Sequence, residues 1–394
     1  MLIKRRMDSV SVNSLSLAEC GAWIYMKDKI SFGSWEATAL IVNFVFGHIM
    51  LVFPRDMVQY GGSAGWIIPI IMTLIALCYF AIIVKLYKNI GSLDLIDISA
   101  GIGGRALKVI VGLLITVFLT LTVSIFLGAF SQTLKIISLD NSALEYVEIL
   151  FFVGMTAAAY FGIEAIARIS AFLVPIIVLG FIFITIGVIP EFRINNLFPI
   201  LGEGIPSILK GSFMKLYSFT PFIILFLMVS FFKKQYLKKV GFSYIIISGI
   251  LLLWSTLSFI LVFPYELAVE KRIPVFQLAR HIDYGNYVQR IESISVLISS
   301  ICAIIFMGAI FNFIIYVFAK SLDLKQSKPI ILPMSVIVFS ITVLSKRINY
   351  DFIGSSIINI SWLGGMIIPL IIIIIGSIKK VGIEGRGGKN EQKN

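Results

Sequence analysis

The side chains that could do chemistry are few. There are two histidines, His48 and His281, and three cysteines, Cys20, Cys78 and Cys302. No CxxC pair occurs, so a disulfide framework or a catalytic metal cluster cannot be assembled from this set. Walker A and HExxH patterns are absent. The glycines of Gly101-Ile102-Gly103-Gly104 follow no strand, which removes the dinucleotide-loop reading. No nucleophile–base pair and no cofactor motif remain, so an enzyme is not expected. What remains is a set of small polar residues beside helix breakers, and that chemistry is ligand binding.

Two breaks carry the reading. The first is Phe46-Gly47-His48-Ile49-Met50 followed by Pro54. Proline has no N–H and clashes with the carbonyl four residues back, so Pro54 is expected to free the carbonyl of Met50. Gly47 adds backbone freedom, and Gly61-Gly62 is a stop for the half that follows. The second break is Tyr217-Ser218-Phe219-Thr220-Pro221, in which Pro221 frees the carbonyl of Tyr217. Thr220 and Pro221 also read as N-cap and first residue of a new helix. Half-helix N-termini carry partial positive charge and suit a carboxylate. Freed carbonyls suit an ammonium or a cation. An amino acid carries both groups.

The elements that hold these breaks are membrane spans. The chain has 394 residues, 58% hydrophobic and only 14% charged, with mean hydropathy +0.99. A soluble domain carries about 25% charged residues. This composition excludes a soluble enzyme, a nucleic-acid binder and a disordered chain. Ten apolar segments are each long enough to cross a bilayer: 34–59, 65–87, 107–137, 143–162, 168–189, 207–232, 240–264, 290–319, 329–344 and 356–378. The fold expected is an all-α polytopic membrane protein of about ten helices. The net charge of +12 sits unevenly. Lysines and arginines favour the loops on the side of the two termini by about two to one, which places both termini in the cytoplasm. Residues 1–26 are polar, without a signal-peptide core, and read as a disordered or mis-started extension. Residues 27–380 form one transmembrane domain, and 381–394 a charged, Gly-rich tail.

Broken spans 1 and 6 open two five-span halves. Interruptions at matched positions of two halves mark a transporter site at the repeat interface. Span 3 carries Thr116, Thr120, Ser124, Gly128 and Ser131 on one face, and span 8 carries Ser295, Ser299 and Cys302. These stripes serve close helix packing or line a central cavity. His48 is either a pH-sensitive gate or a hydrogen-bonded interior histidine. Arg55, Asp56, Arg290 and Glu292 lie near span ends, where charges reach the interface.

Several stretches together resemble the spore germination permease family, the B-type subunits of nutrient germinant receptors. They are Lys29-Ile30-Ser31, the first break with Pro54, Phe161-Gly162-Ile163-Glu164-Ala165-Ile166-Ala167-Arg168, Phe198-Pro199-Ile200 with Gly204-Ile205, and Gln289-Arg290-Ile291-Glu292-Ser293. The resemblance covers roughly residues 27–380. It implies an inverted five-plus-five repeat like that of amino acid–polyamine–organocation transporters, with helices 1 and 6 broken. It implies a small nutrient as ligand, often an amino acid, a place in the spore inner membrane, and two partners, an A-type membrane subunit and a C-type lipoprotein subunit. The ligand site it implies comprises Gly47, His48, Ile49, Met50, Ser218, Phe219 and Thr220, with Thr120, Ser124 and Ser299 contributing from helices 3 and 8. His48 departs from the small residue usual at that place in the family. The rival readings are a secondary amino-acid permease coupled to an ion gradient and a channel released by partners.

Overall fold

The computed structural model describes residues 31–138, 143–233, 235–282, 292–347, 363–379 and 381. No strand occurs among them. Eight helices among the described residues are long and apolar enough to cross a membrane. The helices are α1 (Ser34–Leu51), α2 (Phe53–Gly61), α3 (Ile67–Tyr87), α4 (Leu95–Ser138), α5 (Leu144–Gly187), α6 (Ile205–Met214) and α7 (Phe222–Leu227). They continue with α8 (Tyr236–Val262), α9 (Tyr265–Glu270), α10 (Pro274–Arg280), α11 (Glu292–Ser321), α12 (Ile331–Arg347) and α13 (Ile368–Ile378). The expectations for residues 1–26, for the tail past Val381 and for Arg290 lie outside the described residues.

The expected spans map onto these helices with three differences. A straight helix of the 44 residues of α5 would run about 66 Å, twice the hydrocarbon thickness of a bilayer. It is broken at Gly162, whose φ of 83° is open to glycine, so the expected spans 143–162 and 168–189 are its two parts. Helix α4 begins twelve residues before the expected 107, and non-helical backbone at Gly103 and Gly104 sets its first turns apart from the span. The last expected span, 356–378, is described from Leu363, where a π-helical turn Leu363–Ile367 leads into α13. The count of ten therefore becomes eight long helices, one of them double, and the described part of a last span.

Burial sorts the helices. α1 is buried almost all round, as a helix apolar on every face must be when it lies inside a bundle. α11 packs against both α4 and α5 and also touches α1. Asn43 on α1 donates from Nδ2 to the carbonyl of Cys302 on α11 at 3.1 Å. Large apolar side chains such as Leu74, Leu114, Leu150 and Phe172 are exposed on the outside, the surface that lipid covers in a spanning protein.

Both breaks exist, and each differs locally from expectation. Span 1 stays helical through Gly47 and His48 as far as Leu51 and breaks at Val52 (φ −141°, ψ −11°). Pro54 stands in the first turn of α2, where its missing N–H costs nothing. Span 6 is α6, a 3-10 segment Lys215–Phe219, then α7. Thr220 holds helical angles and its side chain caps nothing; Pro221 occupies the cap position. The carbonyl of Tyr217 accepts the N–H of Thr220 at 2.9 Å. The tighter 3-10 winding thus satisfies the group that Pro221 would have orphaned.

Candidate functional site

The two breaks meet at a cavity of about 460 Å³. From span 1 it takes Phe44, His48, Leu51 and Val52; from span 6, Tyr217, Thr220, Pro221 and Ile223. α4 supplies Phe118, Thr122, Phe126 and Thr133, α11 supplies Phe306 and Ile310, and the π-turn supplies Leu363 and Gly364. No charged side chain lines it among the described residues.

Its polar groups are nearly all committed. Thr122 and Thr133 donate to the carbonyls four residues back, of Phe118 and Ala129, each at 2.8 Å. The Tyr217 hydroxyl donates to Asp56 at 3.2 Å. That leaves the His48 imidazole and the Thr220 hydroxyl to face a guest. His48 meets the Tyr217 ring edge-on, with centroids 5.4 Å apart. Aromatic rings adjoin the imidazole: Phe306 meets His48 edge-on with centroids 6.4 Å apart, and it lies 4.0 Å from Phe126 and 5.0 Å from Phe44. A guest therefore finds a broad apolar body site and one narrow polar edge.

The residues named from the sequence fall into three groups. His48 and Thr220 line the cavity. Gly47 backs it: a Cβ there would lie 3.4 Å from Phe126 and 3.8 Å from Phe306. Met50 and Ser299 lie together in a second pocket of about 10 Å³, walled also by Phe130, Val275 and Ser295. It shares Leu51 and Thr133 with the large cavity. The others do not line either space. Ile49 and Phe219 are core residues, Phe219 packing on Tyr244. Ser124 ties α4 to α12, donating to the carbonyl of Val338 at 3.1 Å and accepting at its own carbonyl from Thr342. Ser218 and Thr120 are buried with side-chain oxygens that no described group bonds.

Two ion-pair clusters went unread in the sequence. Asp56 on α2 accepts from Lys215 Nζ at 2.8 Å, and Lys215 also stands over the rings of Tyr60 and Tyr217. These charges hold each other inside the protein instead of reaching the interface. At the lysine-rich end, Asp94 is fully buried. It accepts from Lys320 Nζ at 2.5 Å and Tyr316 at 2.6 Å, and its other oxygen caps the first turn of α4 through the N–H groups of Ile96 and Asp97. Lys320 also pairs with Asp97 at 2.8 Å. Burial raises the Asp94 carboxyl, but the Lys320 charge and the hydrogen bonds from Lys320, Tyr316 and Asp97 outweigh it and hold it below the usual carboxylate range. The signals were present as charges at span ends; their partners lie more than 150 positions away.

A family model described as "Spore germination protein" matches residues 32–351. This chain belongs to the spore germination permease family. Spore germination protein YndE of Bacillus subtilis (strain 168) is 27% identical over 365 residues, covering 88% of this chain and 96% of that protein. Spore germination protein A2 of the same organism is 21% identical over 363 residues, covering 89% and 97%. Among solved structures, the nucleobase-cation-symport-1 family transporter Mhp1, closed with bromovinylhydantoin bound, aligns with TM-score 0.60 at 10% identity, covering 90% of this chain and 91% of that one. Its inward-facing form aligns with TM-score 0.50 at 11% identity. The chain thus has a transporter fold with helices 1 and 6 broken, and it is a multi-pass membrane protein.

Proposed function

We propose that this chain is the permease-like subunit of a spore nutrient germinant receptor, and that its ligand is an amino acid with an apolar side chain. The observation that carries the reading is the cavity at the meeting of the two breaks, in a chain whose relatives are spore germination proteins. The polar end of the ligand faces His48 and Thr220; the side chain lies against Phe44, Phe126 and Phe306. The residues we assign to it are His48 and Thr220, with Gly47 keeping the floor open. Binding biases a two-state bundle, which requires that the ligand prefer one state. A membrane-anchored A-type subunit and a C-type lipoprotein subunit read that state. The protein sits in the spore inner membrane with both termini cytoplasmic, as the lysine distribution supports.

The test is germination of spores carrying Gly47→Trp in place of the native chain. Nutrient-triggered germination should be lost while the amount of protein in the spore membrane stays unchanged. Normal germination by that variant would remove the cavity from the account. A second reading, coupled transport, draws on the ion-pair clusters: topology puts Asp56–Lys215 and Asp94–Lys320 at opposite ends of the bundle, with the cavity between them. Gradient-driven uptake of labelled L-alanine or L-leucine by vesicles holding the purified chain alone would favour it.

A further inference from the structure

Tyr217 belongs to two structures at once. Its ring is part of the cavity wall and touches His48. Its hydroxyl donates to the carboxylate of Asp56 at 3.2 Å. That carboxylate also takes the ammonium of Lys215, two residues before Tyr217. Asp56 rides on α2, the half-helix after the first break; Lys215 and Tyr217 sit in the 3-10 joint of the second. The ion pair is therefore the tie between the two broken spans at the lysine-poor end. One neighbouring contact reinforces that tie: Ser207 on α6 donates to the carbonyl of Tyr60 on α2 at 2.6 Å.

The cluster is well packed. The Lys215 and Asp56 side chains are 9% and 15% exposed, so water screens them little and each depends on the other. A ring with one edge in the cavity and a hydroxyl on the pair cannot move for a guest without disturbing the pair. We propose that Tyr217 is the positioning residue that couples occupancy of the cavity to a closure made by Asp56 and Lys215. Filling the cavity displaces the ring, withdraws the hydroxyl from Asp56 and frees α2 from the joint. The proposal rests on the ligand reading of the cavity, but its mechanical part does not need the ligand to be known.

Ser212 provides the reporter. It is fully buried on α6, three residues before Lys215. With Cys20, Cys78 and Cys302 replaced by alanine, Ser212→Cys is a near-isosteric probe for a maleimide. Gly47→Trp serves as a built-in occupant. Ala129→Phe, on another wall of the cavity, serves if the tryptophan variant fails to fold. Tyr217→Phe keeps the ring and removes the hydroxyl.

Labelling in detergent should rise by about fivefold or more for Asp56→Asn, for Tyr217→Phe and for the occupant, the lower range of allosteric couplings. The occupant should add less than about twofold on top of Tyr217→Phe, because both act through one tie. The proposal is overturned if Tyr217→Phe labels like the parent. It is equally overturned if the occupant and Tyr217→Phe multiply independently. Thermal stabilisation by L-alanine, L-valine, L-leucine or L-phenylalanine is recorded on the parent in parallel. Its absence counts against the ligand reading alone, and the labelling arms still decide the coupling.

Discussion

Among the described residues, Thr220 is the one whose hydroxyl lines the cavity without an internal partner. Thr220→Val keeps the shape and removes the donor. It should weaken ligand binding by about 0.5–1.5 kcal/mol, the net worth of one neutral hydrogen bond, and titration calorimetry would read it. Thr122→Val should change binding far less, since its hydroxyl is already spent on the carbonyl of Phe118. The sequence singled out His48 and Thr220 because breakers flank them, and both line the cavity. It also singled out Ser124, from the stripe on span 3 and from the family resemblance. A stripe of small polar residues on a helix does not say which neighbour they face, and Ser124 faces α12. Tyr217 was passed over because an aromatic beside a break looks like core until its hydroxyl is seen on Asp56.

At the scale of elements, the joint of span 6 is pinned by the π-turn. A Cβ on Gly365 would approach the Cβ of Thr220 to 2.6 Å and its Cα to 2.8 Å. Gly365→Ala must push the joint, and overpacking of this kind costs about 1–3 kcal/mol. A lowered melting temperature in detergent checks it, and ligand affinity should fall with it because Thr220 moves. The Asp94 cluster joins the loop before α4, the end of α11 and, through Ser230, the end of span 6. Asp94→Asn leaves the Lys320 ammonium short of its counter-charge and should destabilise by about 3–5 kcal/mol. The breaks were legible as elements because proline acts locally. Their winding was not: the 3-10 joint at Tyr217 packs against the turn at Leu363–Ile367, which lies far along the chain, and no local rule reports that.

For the whole molecule, hydropathy delivered the spans. It is a one-dimensional property of the chain, which is why it is legible without a structure. In α5 the two expected spans run into one another, because Gly162 breaks the backbone without interrupting the helix on either side. The depressed Asp94 carboxyl gives the fold a pH dependence. A group whose folded value lies below its unfolded value stabilises the fold above the unfolded value, about pH 4. That contribution is lost as pH falls through the folded value. Melting temperature should therefore drop on acidification below about pH 4, and drop less steeply in Asp94→Asn. Parallel curves for the two proteins would remove Asp94 from the acid response.

The most direct measurement of the central claim is thermal stabilisation of the purified chain by L-alanine, L-valine, L-leucine and L-phenylalanine, with Gly47→Trp beside it. A ligand at a hundredfold excess over its dissociation constant should stabilise the native chain by about 2.7 kcal/mol, and the tryptophan variant should show none of that gain. An equal gain in the variant would place the ligand outside this cavity and contradict the account.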